Sequence, residues 1–176
     1  MKLIVNTVGR HFQVGLILAA CLVLVACSRQ GDESAGKNNL EQTSMVVFKQ
    51  ASCGCCGSWV DHVEQFGIST EVRNEQNMAA IKTKLGIQPN YRSCHTATVG
   101  DYVFEGHIPA HAISQFLNAP PEGALGLAVP GMPVGSPGME MGDRFDDYDV
   151  LLLKDDGSSE VFLHVSDQSQ NNRPEV

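Results

Sequence analysis

Residues 50–59 read QASCGCCGSW, which puts Cys53, Cys55 and Cys56 within four positions. Cys53 and Cys56 are spaced C-x-x-C, the arrangement of thiol–disulfide chemistry. Cys53 and Cys55 are also C-x-C, and Cys55–Cys56 is a vicinal pair. Spacing alone leaves a redox dithiol, a disulfide staple and a ligand set for a soft metal all open.

The flanking sequence decides the fold. Upstream, MVVFKQ (45–50) is an apolar run suited to a buried strand. Downstream, GSWVDHVEQFG (57–67) sets Trp59, Val63 and Phe66 at i, i+4 and i+7, the stripe of a short helix ending near Gly67. ISTEVRN (68–74) alternates as a strand, and EQNMAAIKTKLG (75–86) predicts a second helix stopped by Gly86 and Pro89. TATVGDYVFEG (96–106) reads as a type II′ hairpin around Gly100-Asp101. PAHAISQFL (109–117) is a third helix with Pro109 as its natural first residue. Residues 119–143 are expected to be irregular, because Gly and Pro recur every few positions. YDVLLLKDDGSSEVFLHV (148–165) reads as a hairpin around Asp156-Gly157, and 167–176 as a disordered tail.

A cysteine cluster between the first strand and first helix of a βαβαββα order predicts an α/β, thioredoxin-like domain over 45–166. It would carry a Gly/Pro/Met-rich loop and a C-terminal β-hairpin. Thioredoxins set a cis-proline opposite the dithiol. Here Ser93-Cys94-His95 occupies roughly that place, and a thiol with an imidazole suits a metal better than a peptide substrate.

The N-terminus reads separately. Lys2 and Arg10 precede an apolar run from Val14 to Ala26, shorter than a membrane span and ending in small residues. Leu24-Val25-Ala26-Cys27 resembles a bacterial lipobox, which implies a signal peptide over 1–26 and a lipidated Cys27. An ordinary signal peptide or a short anchor is the alternative. Ser28 rather than Asp follows the cysteine, which favours the periplasmic face of the outer membrane. Polar residues 28–43 would be a tether, so that lipidated Cys27 and tether together span 27–44. Cys21 leaves with the signal and Cys27 goes to lipid, so Cys53, Cys55, Cys56 and Cys94 remain. An exported domain of this size does not need a disulfide framework to supplement its core, so these thiols are expected to be functional.

The formal charge of −8 becomes −10 once Lys2 and Arg10 are gone, which argues against nucleic acid as a partner. Three thiols this close cannot easily take independent tetrahedral corners of one zinc ion. They can bridge several soft ions, with Cu(I) the physiological candidate, or form a disulfide with a spare thiol. Met132, Met139 and Met141 sit in GMPVGSPGMEMG (131–142), where no periodic element would make them core residues. Thioethers ligate soft metals and little else. His95 adjoins Cys94, and His107 lies just outside the third helix as a loop ligand. His111 reads as a plain surface residue and His164 as structural. His62, two turns or about 10 Å beyond Cys55, cannot share the cysteine site. The acidic group Asp143, Asp146, Asp147 and Asp149 lacks EF-hand spacing and reads as a solvated turn.

CGCCGSWVDHV (53–63), SCHTATVGDYVFEGHIPA (93–110) and GLAVPGMPVGSPGME (126–140) resemble, in order, the signature blocks of the exported CopG-like copper-resistance proteins, the C-x-C-C metal-binding family. The resemblance spans about 46–141 and implies a thioredoxin-like core, an extracytoplasmic location and copper held in a thiolate-bridged site, single or clustered. It implies ligands at Cys53, Cys55, Cys56, Cys94, His95, His107, Met132 and Met139. Met141 lies just past the block, and nothing transfers to His111. A role in buffering or changing the redox state of Cu(I)/Cu(II) is also implied, with other periplasmic copper-handling proteins as partners. Motif spacing fixes ligands, not rates, so a copper oxidoreductase and a simple sequestering protein both remain open. The rival from another class is a thiol–disulfide oxidoreductase with Cys53 as nucleophile and Cys56 as resolving thiol. A structural zinc module is a third reading.

Overall fold

A computed structural model describes residues 44–172. The predicted signal peptide, Cys27 and the tether through residue 43 lie outside the described residues. Seven strands form one sheet in the order β2-β1-β3-β4-β5-β6-β7. They are β1 (Ser44–Lys49), β2 (Ser69–Asn74), β3 (Thr96–Val99), β4 (Tyr102–Glu105), β5 (Ala124–Ala128), β6 (Tyr148–Lys154) and β7 (Ser159–Val165). Helix α1 (Gly54–Gln65) joins the parallel pair β1/β2, and α3 (Ala110–Asn118) joins the parallel pair β4/β5. Helix α2 (Met78–Lys84) lies between β2 and β3, and the remaining strand pairs are antiparallel. The chain is thus a mixed α/β fold, with the elements of 45–118 in the order the sequence predicts.

The strand period of two sorts the apolar residues onto two faces. Phe104, Leu127 and Leu152 turn toward Trp59 and Val63 of α1 and Ile113 and Phe116 of α3, forming the main core. Their neighbours Val103, Ala128 and Leu153 turn the other way and pack with Ile87 in a smaller cluster. The main face is apolar enough to seat two helices. The second carries a buried charge pair described below.

The structure differs from the sequence expectations at three places. Helix α1 starts at Gly54, three residues before the expected start, so Cys53 is its N-cap and Cys55 and Cys56 lie in its first turn. The stretch 119–143 is not wholly irregular, since β5 runs through it. Gly126 is there for proximity rather than flexibility: a Cβ would sit 1.8 Å from the Val103 carbonyl oxygen, and the register shifts between Ala124 and Gly126. Glycine in such a strand marks a bulge where another backbone comes close. Finally, the expected disordered tail is ordered through Asn172, with a 3-10 turn over Gln168–Asn172. Buried Asn171 accepts from the Tyr148 hydroxyl at 2.5 Å and donates to the Gly135 carbonyl at 2.6 Å. A polar residue with both amide groups satisfied in the interior holds the segment down; residues 173–176 lie outside the described part.

Gly100 has a φ of +56°, and no described non-glycine residue has a positive φ, as a type II′ turn at Gly100-Asp101 requires. Among the described residues no helix is long and apolar enough to cross a membrane.

Candidate metal centre

Strand β1 delivers the chain to Cys53, whose backbone N–H donates to the Gln50 carbonyl and whose carbonyl accepts from Gly57. Cys53 and Cys56 are joined as a disulfide, while Cys55 and Cys94 are free thiols. Each free thiol lies against one half of the bridge. Cys55 Sγ is 3.5 Å from Cys53 Sγ, and Cys94 Sγ is 3.4 Å from Cys56 Sγ. Cys94 arrives from the approach to β3, together with His95. Its sulfur is 3.4 Å from His95 Nδ1 and 3.0 Å from Nε2 of His107, which follows β4.

Two donor groups result. The sulfurs of Cys53, Cys55, Cys56 and Cys94 all lie within 4.8 Å of one another, and so do the donor atoms of Cys94, His95 and His107. Cys94 belongs to both. Sulfurs bound at about 2.3 Å to one tetrahedral ion stand about 3.8 Å apart. The 3.5 and 3.4 Å contacts of Cys55 and Cys94 are therefore near ligand spacing, while Cys53 and Cys56 become thiolate donors only when their bridge is reduced. His95 is fully buried, and its Nε2 has no hydrogen-bond partner among the described residues. A buried imidazole nitrogen left this way is costly unless something else engages it. Once the Cys53–Cys56 bridge is reduced, four thiolates and two imidazoles with no carboxylate make a donor set for a soft or borderline cation rather than for a hard one.

Burial sets the protonation. It drives His95 well below its ordinary value, with His107 and the Lys82 ammonium adding to the effect. It also lowers His107, opposed by the Pro137 carbonyl and by Glu140. Both rings are therefore neutral at pH 7 and able to donate lone pairs. The Cys94 thiol is pushed up to about 11, first by burial and then by Cys55. It keeps its proton at neutral pH until a cation or a base takes it.

The methionine loop closes one side. The Pro137 carbonyl accepts from His107 Nδ1–H at 2.7 Å, which leaves Nε2 as the acceptor facing Cys94. Gly138 has a φ of +81°, and a Cβ there would meet the Cys55 carbonyl at 2.6 Å and the Trp59 amide at 2.8 Å. Only glycine lets the loop lie this close to the first turn of α1. Met139 follows it, partly buried, while Met132 and Met141 are 52% and 53% exposed. The structure thus gathers Cys53, Cys55, Cys56, Cys94, His95 and His107. The three methionines belong to the loop against them, two of them facing solvent.

The remaining histidines lie apart. His62 Nε2 accepts from the Ala110 amide at 3.1 Å, and burial holds it near 4. His111 is partly buried rather than a surface residue and belongs to neither donor group. His164 pairs with Asp149 at 2.7 Å on the exposed face of the hairpin.

Two partners of the site have no signature in the sequence. The single tryptophan, Trp59, donates to the Ile108 carbonyl at 2.8 Å and packs against His95 with ring centroids 4.3 Å apart and the rings tilted by 43°. Beneath Cys94, Lys82 and Glu105 form a buried ion pair at 2.5 Å. Glu105 also accepts from the Ser93 amide at 2.6 Å and the Thr96 hydroxyl at 2.6 Å, while Lys82 donates to the His95 carbonyl at 3.3 Å. Together they clamp Ser93-Cys94-His95 from both ends. A lysine on a short helix and a glutamate ending a strand both read as solvated, so spacing offers no signal for this pair.

Comparison with known proteins follows the same residues. Residues 91–139 match the family described as "Protein of unknown function, DUF411". A solved structure called copper resistance protein copG, form 1, is 41% identical, with a TM-score of 0.66, over 70% of this chain and 97% of that one. The chain belongs to the CopG copper-resistance family. Form 2 of the CopG structure is 40% identical, with a TM-score of 0.67, over 70% of this chain and 98% of that one. No curated protein matches. Membership in the CopG family agrees with the resemblance carried by the three sequence blocks, and the DUF411 match covers the second block and nearly all of the third.

Proposed function

We propose that the protein is an extracytoplasmic copper-binding protein of copper resistance, anchored by lipid at Cys27. It holds copper in a thiolate-bridged site built from Cys53, Cys55, Cys56, Cys94, His95 and His107, on a thioredoxin-like frame. The strand order β2-β1-β3-β4, with the cysteines where β1 gives way to α1, supports that reading of the frame. The observation that carries the proposal is the position of Cys94, the one donor common to an all-sulfur group and a sulfur–imidazole group. A shared thiolate is what bridges adjacent ions. Met132, Met139 and Met141 supply soft ligands on the loop against the site.

The Cys53–Cys56 disulfide supports a redox role as well. Oxidising that dithiol releases two electrons and two protons, which balances the reduction of two Cu(II) to two Cu(I). The same bridge favours the second reading, a thiol–disulfide oxidoreductase using Cys53 and Cys56.

Copper loading of the reduced protein under anaerobic conditions, with metal and oxidation state measured, tests the proposal. More than one Cu(I) per chain, lost on Cys94→Ser and on Cys56→Ser, is the expected result. No copper uptake by a folded, reduced protein that reduces insulin normally overturns it, and one zinc per chain in preference to copper does so too.

A further inference from the structure

The copper reading uses the cysteines as ligands; in the oxidised chain they are also placed to react with each other. Cys94 Sγ, a free thiol, lies 3.4 Å from Cys56 Sγ, one sulfur of an existing disulfide. His107 Nε2 lies 3.0 Å from the same Cys94 sulfur, and the Pro137 carbonyl fixes the tautomer that leaves Nε2 unprotonated. A thiol, an imidazole nitrogen at hydrogen-bond distance and a group orienting that imidazole make the recurring nucleophile, base and orienting-group arrangement. Cys55, at 3.5 Å from Cys53, faces the other sulfur with no imidazole hydrogen-bonded to it among the described residues.

We propose that Cys94, with His107 as its base, is a resolving thiol that moves the disulfide from Cys53–Cys56 to Cys56–Cys94. Cys94 Sγ lies beside the Cys53–Cys56 bond, since all four sulfurs fall within 4.8 Å of one another. It turns into line with that bond and attacks Cys56 Sγ as its proton passes to His107 Nε2. The Cys56–Cys94 bond forms, the Cys53–Cys56 bond breaks, and Cys53 leaves as the thiolate. One disulfide and two thiols are present before and after, so no outside oxidant or reductant is needed.

The exchange changes which ligands are free. Before it, the free thiols are Cys55 and Cys94, and the Cys94–His95–His107 group is intact. After it, that group has lost its thiol, and Cys53 joins Cys55, both partly exposed, as a dithiol for a soft monovalent cation. A disulfide shift inside the chain would thus pass binding capacity between an inner and an outer set without net electron transfer. This use rests on the copper reading, but the exchange itself is measured without metal, so each can fail alone.

Trypsin separates the outcomes, because Cys53, Cys55 and Cys56 share the peptide 50–73 and Cys94 lies in 93–144. Copper-free, chelated, oxidised protein is held at neutral pH without oxidant, quenched in acid, blocked with N-ethylmaleimide and digested. The expected result is a cross-link between the two peptides, with Cys53 and Cys55 carrying the maleimide. It should persist in Cys55→Ser, and its formation should slow at least tenfold in His107→Ala, consistent with loss of a general base. Cys53→Ser, oxidised after purification, should be cross-linked almost completely. Absence of the cross-link in both the wild type and folded Cys53→Ser overturns the proposal. So does a cross-link that forms equally fast without His107, with the His107→Ala fold verified by far-UV circular dichroism.

Discussion

Replacing Lys82 by Met should destabilise the copper-free domain by about 3–5 kcal/mol, the range for removing one partner of a buried ion pair. Methionine nearly matches the lysine stem in volume, so little of the loss comes from a cavity. The loss comes from Glu105, which is fully buried and would be left without its cation, with only the Ser93 amide and Thr96 hydroxyl as partners. Lys82 also donates to Thr96 at 2.8 Å and to the His95 carbonyl at 3.3 Å, and both acceptors would go without it. In urea unfolding followed by circular dichroism, the midpoint falls with the slope unchanged. In thermal unfolding the loss amounts to roughly 10–20 °C for a domain of this size. Lys82→Met/Glu105→Leu should be less damaging than the sum of its single variants by about 2 kcal/mol or more, because the pair is removed whole. Since the same groups hold Ser93-Cys94-His95, Lys82→Met should also weaken copper binding by about tenfold, as loss of outer-shell support does. A loss under about 1 kcal/mol, or strict additivity in the cycle, would show that the pair clamps nothing.

Acid should destabilise the fold through His62, whose folded value near 4 lies below the ordinary 6.5. The unfolded chain takes the proton first, so stability present above pH 6.5 falls by about 2 kcal/mol by pH 5. His95 and His107, also lowered, act in the same direction; His62→Gln should flatten part of the slope in pH-dependent urea melts, and an unchanged slope would refute this. Gly138→Ala combines a φ of +81° with a Cβ 2.6 Å from the Cys55 carbonyl, so it should cost more than the roughly 1–2 kcal/mol of left-handed strain alone. Limited proteolysis should then cut within 131–142, where the wild type resists. Met132→Leu, at a side chain 52% exposed, should lower copper retention in competition with a chelator while leaving urea stability within about 0.5 kcal/mol; equal retention would remove Met132 from the ligand set.

Much of the fold is legible in local pattern. The strand at 45–50, the helix stripe of Trp59 and Val63, and the turn at Gly100-Asp101 each depend on a few neighbouring residues. Strand β5 is not, because the closeness that demands Gly126 comes from β4, more than twenty residues earlier, while glycine locally signals a break. The ordered tail is hidden for the same reason, since Asn171 is satisfied by Tyr148 and Gly135. At the candidate site, chemical type singles out Cys53, Cys55, Cys56, Cys94, His95 and His107 as candidate donors, and the fold brings them together. Their pairing was not legible: that Cys94 serves two groups, and that Lys82 and Glu105 brace it from below, follow only from the sheet bringing β3 and β4 beside α2.

The contact of Trp59 with His95 has a practical meaning. It is the chain's only tryptophan, fully buried, with its ring centroid 4.3 Å from an imidazole of the donor group. The protein therefore carries its own fluorescent indicator, free of background from any second indole. A paramagnetic Cu(II) arriving at His95 would darken it, and a diamagnetic Cu(I) would act on it differently. Arrival and valence of the metal could then be followed in real time by light alone.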